Sequence, residues 1–291
     1  MPERRKGSFR FAAGAIPVGM DRFSPDSCTV ARVCPSPNCN ERRGGESGLA
    51  REPDMLVLHY TGVHPDAEAA WVKEPGRCAL EWLCNPDAQV SAHYLVELNG
   101  EIIQIVPEGM RAWHAGASSW KGESDLNSAS IGIEIVNLGH DHGLPDFPQI
   151  QIDAVIALCS DIVSRRKIAP ERVLAHSDIA PGRKADPGEK FPWNQLFTKG
   201  VGHWAPPVAM SQIGPTLASG AKGRGVLELR QQLADYGYGL PVSDEYDGLC
   251  EAIVLSFQRH FRPEKCDGIA DASTRATLRE LLGIPAKRPV S

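Results

Sequence analysis

The chain of 291 residues carries a formal net charge of −5, with 42% hydrophobic and 23% charged residues. That balance excludes an intrinsically disordered chain, and the acidic net charge argues against a general nucleic-acid binder, which needs a basic face to neutralise phosphates. The length suits one large domain or a catalytic domain with a smaller companion.

Two short basic runs, Arg4-Arg5-Lys6 and Arg165-Arg166-Lys167, read as solvated surface. The eight cysteines (Cys28, Cys34, Cys39, Cys78, Cys84, Cys159, Cys250 and Cys266) contain no C-x-x-C pair. They read as scattered thiols of a reducing compartment, with a bridge such as Cys78 to Cys84 left open. Near the N-terminus Arg10 and Pro17 interrupt a short apolar stretch, which makes a poor secretory signal. No run approaches the roughly 18 to 20 apolar residues of a membrane span. The expectation is a soluble protein with no transmembrane segment, cytoplasmic by default, with periplasm or cell envelope as the alternative.

Residues 1–32 read as an N-terminal arm within a Gly-, Pro-, Arg- and Ser-rich region that extends to about residue 50 and lacks periodicity. Residues 55–60 (MLVLHY) form an apolar run of strand length, suited to a central strand buried on both faces, with His59 near its C-terminal end. Helix formers from 67 to 83, interrupted at Pro75-Gly76, predict one or two short helices. Residues 93–98 and 101–106 flank Asn99-Gly100 and predict a hairpin with a type I′ turn.

Residues 131–136 (IGIEIV) alternate, placing Ile131, Ile133 and Ile135 on one face and Glu134 on the other. Ile152, Val155, Ile156, Cys159, Ile162 and Val163 recur at helical spacing and predict a helix from about 150 to 167. A short strand at 172–176 follows, ending at His176. Residues 199–220 are Gly-, Pro-, Ser- and Ala-rich and read as an interdomain linker. Beyond it, three amphipathic stretches predict a small helical domain at 221–284. The fold class is α/β: a mixed central sheet flanked by helices, with a small C-terminal three-helix domain.

A lone histidine among nine is seldom a ligand, so convergence is the criterion. His59 and His176 each end a predicted strand, and Asp186 follows His176 by ten residues in a Gly/Pro loop. If the strands are neighbours, both imidazoles and the carboxylate meet at one edge of the sheet. Two imidazoles and a carboxylate form the ligand set of hydrolytic zinc sites, which leave a fourth position to water and lower its pKa toward neutrality. On spacing alone, the cluster His140-Asp141-His142 is an equally visible alternative.

Several ordered stretches, PSPNCNER (35–42), VLHYTG (57–62), VSAHYLV (90–96), AWHAG (112–116), SIGIEIVN (130–137) and HSDIAPGRKADPG (176–188), together resemble the type 2 N-acetylmuramoyl-L-alanine amidases. The resemblance covers roughly residues 33–198. It implies one zinc ion per chain on His59, His176 and Asp186, with Asp186 where the peptidoglycan recognition proteins and phage amidases have Cys. It also implies Glu134 as general base and Lys184 as oxyanion stabiliser, as in the branch that includes the anhydro-muropeptide recycling amidases. His114, Trp113, His93 and Tyr60 are expected substrate contacts, with packing as the alternative for each.

Residues 221–283 resemble the type 1 peptidoglycan-binding module through GVLELRQQL (225–233), YGY (236–238), YDG (246–248) and AIVLSFQR (252–259). The expected activity is hydrolysis of the amide between N-acetylmuramic (or 1,6-anhydro-N-acetylmuramic) acid and L-alanine, acting on peptidoglycan or muropeptide. A non-catalytic recognition protein is the alternative, and a zinc peptidase cutting within the stem is a further rival. A wall-binding module favours the envelope and the weak signal favours the cytoplasm.

Overall fold

The computed structural model describes residues 23–44 and 51–283; the run Arg4-Arg5-Lys6 and most of the expected arm lie outside the described residues. Six strands form the main sheet: β1 (Arg32–Val33), β3 (Met55–Tyr60), β4 (Tyr94–Val96), β5 (Ile102–Gln104), β7 (Ser130–Ile135) and β8 (Val173–Ala175), in the order β1-β5-β4-β7-β3-β8. Neighbours run parallel except β4 and β5, whose antiparallel pairing is the predicted hairpin. A separate ribbon pairs β2 (Cys39–Glu41) with β6 (Met110–Ala112), and the short helix α3 (Leu126–Ala129) leads directly into β7. Among the described residues, no helix is long and apolar enough to cross a membrane.

The central strands β3 and β7 are buried on both faces, as their aliphatic runs require. Leu56, Leu58, Ile131, Ile133 and Ile135 face α4 (Gln149–Arg166) and α6 (Trp193–Thr198). The opposite face has two covers. Leu95 and Ile103 meet α1 (Glu68–Lys73) and α2 (Pro75–Leu83). Met55, Val57 and Leu174 instead meet α7 (Arg224–Tyr236), α8 (Gly248–Phe261) and α9 (Ala272–Leu281). His59 and Glu134, paired in register across β3 and β7, lie on this second face.

Five local expectations need correction. The segment before residue 50 contributes β1 and β2 and buries Ser36, Asn38 and Arg42, all invisible to periodicity because each strand is two or three residues long. The hairpin turn is not type I′. Gly100 N–H bonds the Glu97 carbonyl at 2.9 Å and only Gly100, at φ +84°, takes the left-handed conformation, which is the three-residue arrangement with a bulge. His176 begins α5 (His176–Ile179), one residue beyond β8.

Arg165 and Arg166 are not plain surface, since both reach the fully buried carboxylate of Glu108 at 2.7 Å. All eight thiols are free; Cys84 Sγ faces Cys34 Sγ at 3.9 Å, while Cys78 is buried elsewhere in the same apolar cluster. Residues 199–220 contain no helix, but Val201 is buried, Trp204 packs against two cores and Leu217 bridges to Ala270.

Candidate metal centre and active site

The C-terminal end of β3 delivers His59, α5 delivers His176, and the loop after α5 returns Asp186, its backbone carbonyl accepting from Ser177 N–H at 3.0 Å. The three side chains converge: His59 Nδ1 to His176 Nδ1 is 2.8 Å, and Asp186 Oδ2 lies 3.1 Å from the first and 2.9 Å from the second. Among the described residues this is the one His, Cys, Asp and Glu group arranged to hold a metal. The alternative cluster is dispersed. His140 is held between Tyr60 and Glu189, and His142 lies 3.5 Å from Glu68.

The hydrogen bonds behind the triad decide which nitrogen faces it. His176 Nε2 lies 3.2 Å from the Ala115 carbonyl, which can only accept, and 3.4 Å from Arg183 Nη2, whose protons go at 2.7 Å to the Ala115 and Ala117 carbonyls, so Nε2 carries the proton and Nδ1 presents its lone pair. His59 Nε2 lies 3.1 Å from His114 Nδ1. The chain is satisfied when His59 donates to His114, His114 Nε2–H donates to Ser130 Oγ at 3.3 Å, and Ser130 donates to the Leu126 carbonyl. His59 Nδ1 is then also a free lone pair. Such outer partners fix tautomer and ring angle in metal-binding imidazoles.

Electrostatics agrees. Burial, then the neighbouring His176, lowers His59 to about 4, and burial with the His59 and His93 rings takes His114 well below the usual histidine range. Burial raises the Asp186 carboxyl, but His176 and His59 outweigh it, so it stays ionised. Two facing lone pairs and a carboxylate oxygen repel unless a cation or proton joins them. Ligand atoms of a tetrahedral zinc at about 2.0–2.1 Å stand about 3.3 Å apart, so this donor set fits after opening by a few tenths of an ångström.

A cleft of about 450 Å³ opens over the triad, lined among others by Trp82, Trp113, His114, Glu134, Lys184 and Asp186. Glu134 Oε2 has no protein partner, and burial followed by the Asp186 charge pushes its carboxyl well above the usual range, with Lys184 opposing. Trp113 lines the cleft with its indole N–H anchored on Asn40 Oδ1 at 2.9 Å. Tyr60 also lines it, on the opposite face of β3 from His59, its hydroxyl 3.0 Å from His140 Nδ1.

Two of the residues expected as substrate contacts also have partners within the protein. His114 borders the cleft, but both ring nitrogens are engaged by His59 and Ser130. His93 is fully buried, accepts from Gly132 N–H at 2.9 Å and reaches the Met110 carbonyl at 3.0 Å. Supporting residues that sequence reasoning did not assign include Asn127, whose side chain accepts from the His114 and Ala115 backbone, and Arg42, which gathers the carbonyls of Glu108, Asn127, Ser128 and Ser130. Arg42 stood within a motif, but nothing in its spacing announced burial.

Fold and site together define a hydrolase with a buried two-histidine, one-carboxylate centre at the edge of a mixed sheet. The N-acetylmuramoyl-L-alanine amidase model matches residues 49–189, and a peptidoglycan binding domain model matches residues 222–278. N-acetylmuramoyl-L-alanine amidase AmiD of Escherichia coli (strain K12) is 40% identical over 242 residues, which span 78% of this chain and 82% of AmiD. The 1,6-anhydro-N-acetylmuramyl-L-alanine amidase AmpD of Enterobacter cloacae is 32% identical over 177 residues, 57% of this chain and 88% of AmpD. The solved complex of Escherichia coli AmiD with anhydro-N-acetylmuramic acid-L-Ala-D-gamma-Glu-L-Lys has a TM-score of 0.61 at 34% identity, covering 84% of this chain and 97% of that one. The chain belongs to the N-acetylmuramoyl-L-alanine amidase family, and it is an enzyme that hydrolyses the amide joining N-acetylmuramic acid to L-alanine.

Proposed function

We propose that the chain is a zinc amidase acting on muropeptides, with His59, His176 and Asp186 holding one zinc ion, Glu134 as general base and Lys184 facing the developing oxyanion. The convergence of three preoriented donor atoms beside the unpartnered Oε2 of Glu134 carries this reading. When bound, zinc supplies the Lewis acid that makes water a nucleophile at neutral pH and polarises the scissile carbonyl.

Glu134 takes a proton from the attacking water and returns it to the amide nitrogen as L-alanine leaves. The Lys184 ammonium offsets negative charge on the former carbonyl oxygen. Trp113 offers an apolar wall for the sugar or lactyl group, its ring held by Asn40. That AmiD is solved with an anhydro-muropeptide supports the 1,6-anhydro form as a substrate here.

The test is mass spectrometry of a defined anhydro-muropeptide incubated with zinc-loaded protein, with chelated protein and Glu134→Ala alongside. Release of the free L-alanyl peptide by the loaded enzyme, and by neither control, is the expected result. Cleavage within the stem would make the chain a peptidase, and no cleavage by zinc-loaded protein would make it a binding protein.

A further inference from the structure

Asp178 stands two residues after His176 in α5, and its carboxylate is 0% exposed. It accepts three hydrogen bonds. Ala175 N–H, at 2.8 Å, closes the start of α5 itself. The other two donors come from the last quarter of the sequence: Tyr238 O–H at 2.7 Å on Oδ1, and His260 Nδ1–H at 2.7 Å on Oδ2. Both rings are 2% exposed, and His260 is stacked on Trp193 of α6 at 3.7 Å between centroids. A buried carboxylate stays where its donors are, because leaving them strands an uncompensated charge away from water.

We infer that Tyr238 and His260 are positioning residues for the metal ligand His176, so that the C-terminal helical unit completes the metal site through Asp178. This rests on the reading of His59, His176 and Asp186 as zinc ligands. α5 is only four residues long and cannot hold its own orientation by helical bonding. Its direction is set by the Asp178 clamp and by Ile179 and Ala180, which sit in the core shared with α8. A tilt of this turn moves His176 Nδ1 off the His59 and Asp186 donor atoms, and a ring that has lost its orienting shell binds metal more weakly.

The experiment measures zinc dissociation constants by competition with a chromophoric chelator on full-length protein. Tyr238→Phe and His260→Phe each remove one donor to Asp178, His260→Asn keeps a donor where Nδ1 stood, and Val254→Ala trims the buried apolar core of α8 without removing a donor to Asp178. Zinc affinity is expected to fall about 10-fold in Tyr238→Phe and His260→Phe, and to recover to within about threefold of wild type in His260→Asn. Val254→Ala is expected to lower the melting temperature while leaving zinc affinity within about twofold. If His260→Phe does not fold, Tyr238→Phe decides. Unchanged affinity in the donor-deleted variants, or an equal loss in Val254→Ala, overturns the clamp. Wild-type protein that takes up no zinc overturns the metal reading beneath it.

Discussion

Gly132 and His114 compete for one space. A Cβ on Gly132 would lie 2.4 Å from His114 Cγ, closer than any real contact, so the strand that carries Glu134 leaves a gap for the ring that holds His59. Gly132→Ala must therefore displace His114 and release the proton on His59 Nε2 from its acceptor. Loss of such an outer partner is expected to weaken zinc binding about 10-fold. Chelator competition on Gly132→Ala measures this, and wild-type affinity in that variant would mean that His114 does not orient His59. The converging side chains themselves were legible from a strand end and a loop carboxylate, although His176 opens α5 instead of closing β8. The partners that fix their tautomers were not, because Ala115 acts through its carbonyl and Gly132 through the absence of a side chain.

At the scale of elements, a continuous apolar run carried β3 and periodicity carried β7 and α4, and their boundaries match those patterns to within a residue or two. The basic end of α4 shows what periodicity misses. Arg165 and Arg166 close on Glu108, which also accepts from Tyr94 at 2.7 Å, linking the helix end to the loop after β5. Burial raises the Glu108 carboxyl, but bonds from Arg165, Tyr94 and Arg166 outweigh it and bring it down to about 2. A folded-state value below the unfolded one stabilises the fold above the unfolded value of 4.5, and the benefit is lost as pH falls from there through about 2. The contribution near neutrality is about 3 kcal/mol. Urea unfolding at pH 6 and pH 3 is expected to show much of this difference in wild type, and a distinctly smaller one in Glu108→Gln. Equal pH dependence in both proteins would show that the cluster does not couple to folding.

At the scale of the whole molecule, composition marked residues 199–220 as unstructured connector, and that much follows from their Gly and Pro content. What composition cannot show is docking. Met55, Val57 and Leu174 of the sheet share one apolar core with Val226, Leu229, Phe257 and Leu278 of the C-terminal helices. Trp120, fully buried, lies edge-on to Tyr236 and Tyr238 with centroids 5.9 and 5.0 Å away. A second route joins the unit to the cleft: Arg259 of α8 lies 3.7 Å from Glu189, which pairs with His140 and through it with Tyr60.

Two tethered units would unfold independently, whereas units sharing a core expose each other's apolar face when either melts. Calorimetry of the full chain is therefore expected to give one transition, with calorimetric and van't Hoff enthalpies equal. A chain ending near residue 198 would leave the Met55, Val57 and Leu174 face in water, and is expected to unfold at lower temperature and to aggregate. Two resolved transitions, or a truncated chain as stable and soluble as the whole, would show that the contact is too weak to couple the units and that the C-terminal helices behave as a tethered module.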